Sequence, residues 1–163
     1  MFTLFRKLIA SFKYPQVLKK FYASPYNRQW LSLPCIEVYL RKAVHTYIPP
    51  ATNFGKYEIV ELPGAPRAFT PSQCAKTIDI ASVEVYEQHR SKGFFTMFLS
   101  CVEELADQEG RAVYVESVME SRLAGFLIAR GYIQTDKLDP GFTNPAPSFI
   151  RIVKGIDYSY KDK

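Results

Sequence analysis

A mixed α/β (α+β) fold, a single domain with a central mixed sheet flanked by helices, is predicted by three observations. Between Thr77 and Tyr132 the apolar spacing switches twice from a strand period to a helix period, giving strand, helix, strand, helix. Such a run joins a parallel strand pair through a right-handed crossover. Strand-like runs on either side, Cys35 to Ile48 and Ser148 to Val153, supply further members of the sheet. The chain has 163 residues, 47% of them apolar, which is enough for one well-buried domain and too little for two.

Taken in order, Phe2, Phe5, Leu8, Ile9 and Phe12 recur at helical spacing, and Val17, Leu18 and Phe21 resume it, so a helix broken or restarted near Pro15 is expected. Its apolar stripe needs cover from the domain, from a second copy of the chain in a homodimer, or from a membrane interface. Packing onto the domain or a second copy is the expectation. Cys35 to Ile48 reads as a long strand that Pro49 and Pro50 end. The stretch from Ala51 to Gln73 carries Gly55, Pro63, Gly64, Pro66 and Pro71, and reads as a connecting loop or extra hairpin with one short strand at Tyr57 to Leu62.

From Thr77 to Val85 an unbroken alternation puts Thr77, Asp79, Ala81, Val83 and Val85 on one face and Ile78, Ile80, Ser82 and Glu84 on the other. The helix that follows buries Met97, Phe98, Cys101, Val102, Leu105 and Ala106 and stops at Gly110. Ala112 to Val118 is the next strand. A helix from about Met119 to Arg130 then turns Leu123, Phe126 and Leu127 inward, with Gly131 as its C-terminal cap. After a loop from Asp136 to Pro147 comes the last strand. The chain therefore divides into a basic helical segment, 1–34, a domain, 35–155, and a charged tail, 156–163.

Composition narrows the function classes. Cys35, Cys74 and Cys101 are odd in number, widely separated and without Cys-x-x-Cys spacing, which argues against a disulfide framework or zinc site and fits a reducing cytoplasm. His45 and His89 are the two histidines, so no metal centre is expected. No apolar run reaches the roughly 20 residues of a membrane-spanning helix. Arg6 and Lys7 interrupt the first apolar stretch, which argues against a signal peptide and for a cytoplasmic location. The net charge is +5, and up to Pro50 only Glu37 opposes Arg6, Lys7, Lys13, Lys19, Lys20, Arg28, Arg41 and Lys42. A basic third of this kind steers anionic partners.

The turn between the Thr77–Val85 strand and its helix runs Arg90, Ser91, Lys92, Gly93, Phe94, Phe95, Thr96. A glycine where a strand passes into a helix lets backbone amides approach an anion, and the helix N-terminus favours negative charge there. In this context Arg90 and Gly93 resemble the core motif of the GNAT superfamily of N-acetyltransferases: Arg or Gln, two residues, Gly, one residue, then Gly or Ala. The segment Leu123 to Tyr132, ending in Gly131 and Tyr132, resembles the helix that follows the next strand in that family. Together the two segments span roughly a third of the chain.

The resemblance implies an acyl-coenzyme A N-acyltransferase-like domain that moves an acetyl group from acetyl-coenzyme A, as cosubstrate, to an amine. It places the pyrophosphate on the turn from Arg90 through Ser91, Lys92, Gly93, Phe94 and Phe95 to Thr96, and the pantetheine arm along Val83 and Val85. Amine acetylation needs a proton acceptor, and the candidate catalytic acids are Asp79, the first choice, and behind it Glu84 and Glu116. Asp79 stands eleven residues before Arg90, the offset at which several relatives carry their base. An Asp inside a strand also demands a partner, for which Arg41 or Lys42 is the alternative reading. In relatives the strand bulges near Glu84 and splays from the next, towards which Glu116 faces.

Three positions depart from the family pattern. Phe95 replaces a small residue, Leu127 replaces the usual Tyr acid, and Glu120 replaces an Asn, leaving Tyr132, Ser117, water or no group at all as proton donor. The acceptor is a protein amine, a small amine or a nucleic-acid-linked amine. The rival readings are a binding module of the same fold without turnover and a basic nucleic-acid-associated protein.

Overall fold

The computed structural model describes residues 2–46, 74–134 and 146–151, and strand β3 (Cys74–Val85) runs through its centre. Before it come helix α1 (Phe2–Ala23) and strands β1 (Arg28–Leu33) and β2 (Ile36–Thr46); after it come α2 (Phe94–Gln108), β4 (Ala112–Val115), α3 (Ser121–Ala129), β5 (Ile133–Gln134) and β6 (Phe149–Arg151). The six strands form one sheet in the order β1-β2-β3-β4-β6-β5. Among the described strands only β3 and β4 pair in parallel, as the strand-helix-strand run requires; the other neighbours are antiparallel. The architecture is a mixed α/β domain.

One cluster joins Ile36, Val38 and Leu40 of β2, Ile78 and Ile80 of β3, and Val113 and Val115 of β4 to Leu18 and Phe21 of α1, Phe98 and Val102 of α2 and Leu127 of α3. The three helices therefore cover the same face of the sheet. α2 ends where expected: Gly110 is left-handed (φ 62°), and the Arg111 N–H reaches back to the Ala106 carbonyl at 2.9 Å. This six-to-one bond is the one a glycine at that position makes geometrically easy. Gly131 (φ 87°) closes α3 in the same way, with Tyr132 N–H on Leu127 O at 3.0 Å.

Four expectations need correction. The alternation read along β3 is broken, because Tyr39 of β2 pairs with Ser82 while the next residue, Leu40, pairs with Ile80, leaving Ala81 as the extra residue of a β-bulge. The parity resets there. Ile78 and Ile80 before the bulge, and Val83 and Val85 after it, all pack on the helix side, so Thr77, Asp79, Ser82 and Glu84 share the other face.

The second correction is at Pro15, which interrupts nothing: α1 runs through it. Burial of Tyr14 before it and Leu18 and Phe21 after it holds both halves of the helix on the core, outweighing a proline penalty of about 3 kcal/mol. Third, only the later part of the expected stripe packs on the domain: Leu18 and Phe21 are buried, joined by Ala10 and Tyr14, whereas within the single chain Phe5, Leu8 and Phe12 are exposed and Ile9 lies at the margin; the Phe2 side chain lies outside the described residues.

Fourth, Arg28–Leu33, inside the segment read as helical, is an edge strand that buries only Leu31 and Leu33. Two apolar contacts in six residues are too faint a period to read. The short strand expected at Tyr57 to Leu62, most of the two long loops and the tail lie outside the described residues.

Candidate functional site

β3 and β4 stay side by side from Thr77 opposite Ala112 to Ile80 opposite Val115, with one further bond from Glu116 N–H to Ile80 O at 3.1 Å. Past that point the segment after β4 turns away. Ser117 is left-handed (φ 48°), its amide donates to Ser148 Oγ at 3.2 Å, and Val118 N–H donates to Pro147 O at 2.7 Å. From Ala81 to Val85 the edge of β3 facing β4 therefore has no strand partner among the described residues. The bulge at Ala81 sits where the strands part.

The turn beyond β3 aims at that opening. A single 3₁₀ turn, Glu87–His89, leads into Ser91 (φ 57°) and Gly93 (φ 81°), both left-handed, and Gly93 is the N-cap of α2 with no side-chain cap bond. A left-handed backbone is what glycine tolerates without steric cost. The first bond into the helix is Met97 N–H to Gly93 O at 3.0 Å, so the amides of Phe94, Phe95 and Thr96 are those the helix leaves to an outside acceptor. Arg90 Nε holds the turn against the strand by donating to Val85 O at 3.2 Å, and Lys92 Nζ donates to Gln88 O at 2.8 Å.

Between these parts lies a cleft of about 570 Å³. Val83, Glu84 and Val85 form one wall, Arg90 and Ser91 its end, and Phe95, Glu120 and Leu123 the other wall. The Phe95 ring leans on Phe126 of α3, centroids 6.2 Å apart, so it fills the wall between the two helices. The Phe94 ring is buried in the core, edge-on to His89 at 5.4 Å, which leaves that residue only its backbone to offer.

The three candidate acids lie on one face of the sheet but have different surroundings. Asp79 is fully buried, accepts from Thr77 Oγ1 at 2.6 Å and pairs with Arg41 at 3.2 Å. Arg41 also pairs with Glu116, which is partly exposed beside the opening. Asp79 thus has the ion-pair partner that the alternative reading named, whereas Lys42 donates instead to the carbonyls of Tyr22 and Ser24. Glu84 alone of the three lines the cleft.

Tyr132 is not at the opening. It is buried between α2 and β6, donates to Glu103 Oε1 at 3.1 Å, and is pushed well above the usual phenol range by burial, then by the Glu103 charge and hydrogen bond. Glu103 also holds Arg130, whose Nε donates to it at 3.1 Å, so this corner is a satisfied structural network. Leu127 is fully buried, and Glu120 is the N-cap of α3 without a side-chain cap bond.

Two cations reach the turn from α1. Arg6 Nη1 donates to His89 Nε2 at 2.6 Å, and Lys7 Nζ lies 3.8 Å from where a Cβ on Gly93 would stand. Burial, then Arg6 and Lys92, lower the His89 pKa from 6.5 and hold the imidazole neutral, as its acceptor role requires. The charge of the N-terminal segment was readable; its approach to a turn more than eighty residues away was not. No family model matches the chain and no curated protein matches it in sequence, so the chemistry of the cleft is read from its own residues.

Proposed function

We propose that the cleft takes acetyl-coenzyme A and that the protein is an N-acetyltransferase resembling the GNAT superfamily. The observation that carries this reading is the parting of β3 and β4 at the Ala81 bulge, directly before a turn whose left-handed Ser91 and Gly93 lead into an uncapped helix N-terminus. An unpaired strand edge offers amides and carbonyls to an amide-bearing arm. Helix amides with Arg90 beside them suit a pyrophosphate. The volume, about 570 Å³, is of the size that small-molecule sites commonly have.

In this reading Glu84 takes the amine's proton, directly or through a water, because it is the candidate acid found among the residues that line the cleft. Asp79 acts through Arg41, holding the guanidinium and with it Glu116 at the mouth of the splay. The thiolate's proton comes from solvent, since Leu127 has none to give. That same buried Leu127 favours a second reading, a module that binds the cofactor without turnover.

Titration calorimetry with acetyl-coenzyme A tests the site. Binding by the parent and its loss in a folded Gly93→Glu variant is the expected result; unchanged affinity in that variant would refute the phosphate assignment. Turnover with a panel of amines then separates the two readings. Loss of about 10²-fold in rate for Glu84→Gln, with cofactor affinity kept, marks the general base, while bound cofactor without any turnover marks the silent module.

A further inference from the structure

The outward side of α1 is apolar, and none of the described residues covers it. Leu4, Leu8 and Phe12 form one row at i, i+4, i+8, and Phe5 and Ile9 form the adjacent row. Leu4 is 77% exposed, Phe5 63%, Leu8 57% and Phe12 65%. The opposite side of the helix is also apolar but is used up, because Ala10, Tyr14, Leu18 and Phe21 are in the core. The helix is therefore apolar on two sides, only one of which folding accounts for. Contiguous exposed groups of this kind mark an interaction surface.

Charge decides between the occupants. Across its 22 residues α1 carries Arg6, Lys7, Lys13, Lys19 and Lys20 and no Asp or Glu. Arg6, Lys13 and Lys20, seven residues apart, run down the flank beside the Phe5–Ile9 row. A second copy meeting this face about a two-fold axis would set these cations against their own images. An anionic bilayer complements both the apolar rows and the basic flank. No helix among the described residues is long and apolar enough to cross a membrane, so the contact is with the interface. Beside the Phe5–Ile9 row an apolar groove of about 390 Å³, closed by Pro34 and Cys35, adds room for inserted hydrocarbon.

We propose that the first three turns of α1 seat the protein on an anionic lipid bilayer, with Leu4, Phe5, Leu8, Ile9 and Phe12 at the headgroup boundary and Lys13 and Lys20 among the phosphates. Arg6 and Lys7 of the same helix also reach the turn at His89 and Gly93, so the docking helix and the turn are in direct contact. The inference does not depend on what the cleft binds.

Flotation of the full chain with phosphatidylcholine vesicles, with and without phosphatidylserine, tests it. Expected are binding to the phosphatidylserine vesicles that weakens with salt, and a loss of about tenfold or more in Phe5→Ser/Phe12→Ser. Both residues are exposed, so circular dichroism of that variant should match the parent, and Lys13→Glu/Lys20→Glu gives an independent loss with the apolar rows intact. Binding equal in parent and both variants, or no binding to either vesicle, overturns the proposal. A dimer in sedimentation that Phe5→Ser/Phe12→Ser dissolves, in a parent that ignores vesicles, assigns the face to a second copy instead.

Discussion

The two ends of the β3–β4 pair are made from the same strands and differ in what their backbones are left to do. At the closed end, Thr77 to Ile80 lie against Ala112 to Val115, with Ile78, Ile80, Val113 and Val115 in the core and Asp79 locked to Thr77 and Arg41. At the open end one extra residue, Ala81, turns the following side chains over, and β4 leaves at Ser117. One end spends its hydrogen bonds on the fold; the other keeps a strand edge and three free helix amides next to a cleft that Glu84 helps to line. The comparison teaches that a single inserted residue separates an end closed by strand pairing from an end left open.

Deleting Ala81 is the sharpest way to break it. With Ala81 gone, Ser82 follows Ile80 directly, so plain alternation keeps Val83 and Val85 on the helix side and Ser82 and Glu84 on the other, and what is lost is the bend of the strand. The variant should therefore stay folded yet lose the binding of acetyl-coenzyme A proposed for the cleft. Calorimetry of a folded deletion variant at parent affinity would mean that the opening does not depend on the bulge.

Next in size is Asp79→Ala at the closed end. It strands Arg41 beside a buried Thr77 hydroxyl, and although Glu116 still pairs with Arg41, a loss of about 3 kcal/mol is expected. Glu116→Gln at the partly exposed mouth should cost about 1 kcal/mol or less. Similar losses in the two variants would erase the distinction between a structural acid and a peripheral one.

How much of this was legible follows from where the signal is local. The strand-helix-strand-helix order, the parallel pair, the stops at Gly110 and Gly131 and the turn around Gly93 were readable because periodicity and glycine act over a few residues. The Ala81 bulge was missed because unbroken alternation, with Ile78 and Ile80 on one side and Val83 and Val85 on the other, also describes a strand buried on both faces; the pairing with Tyr39 and Leu40 is what puts all four on one side. Proline chemistry pointed to a break at Pro15 because it cannot weigh the burial of Tyr14, Leu18 and Phe21 around it. At the site, the residues that Arg41 and Lys42 hold were long-range facts, and the sequence left them as alternatives.

The turn itself can be probed at Gly93. Its φ of 81° strains any residue with a Cβ, although the nearest atom to such a Cβ, Lys7 Nζ at 3.8 Å, leaves space for one. Gly93→Ala should therefore cost about 1 kcal/mol from backbone conformation alone, and Gly93→Asn less, because Asn tolerates the left-handed region. Thermal unfolding that ranks Ala as stable as Gly would show that the turn does not depend on this conformation.

The smallest expected effect links the open end to α1 through His89. The neutral ring accepts from Arg6, and burial, Arg6 and Lys92 all lower its pKa from 6.5. As the pH falls through about 6.5 the unfolded chain binds a proton that the folded chain refuses, so the folded state loses stability on the acid side of that value and keeps it in full above. His89→Gln keeps an acceptor for Arg6 but does not titrate, and should flatten that part of the stability profile while leaving the neutral-pH melting temperature nearly unchanged. Hydrogen exchange should localise the acid response to the first turns of α1, where Arg6 is anchored. An identical pH profile in parent and His89→Gln, with α1 equally protected on both sides of pH 6.5, would show that the contact between Arg6 and His89 contributes nothing to holding α1 at the turn.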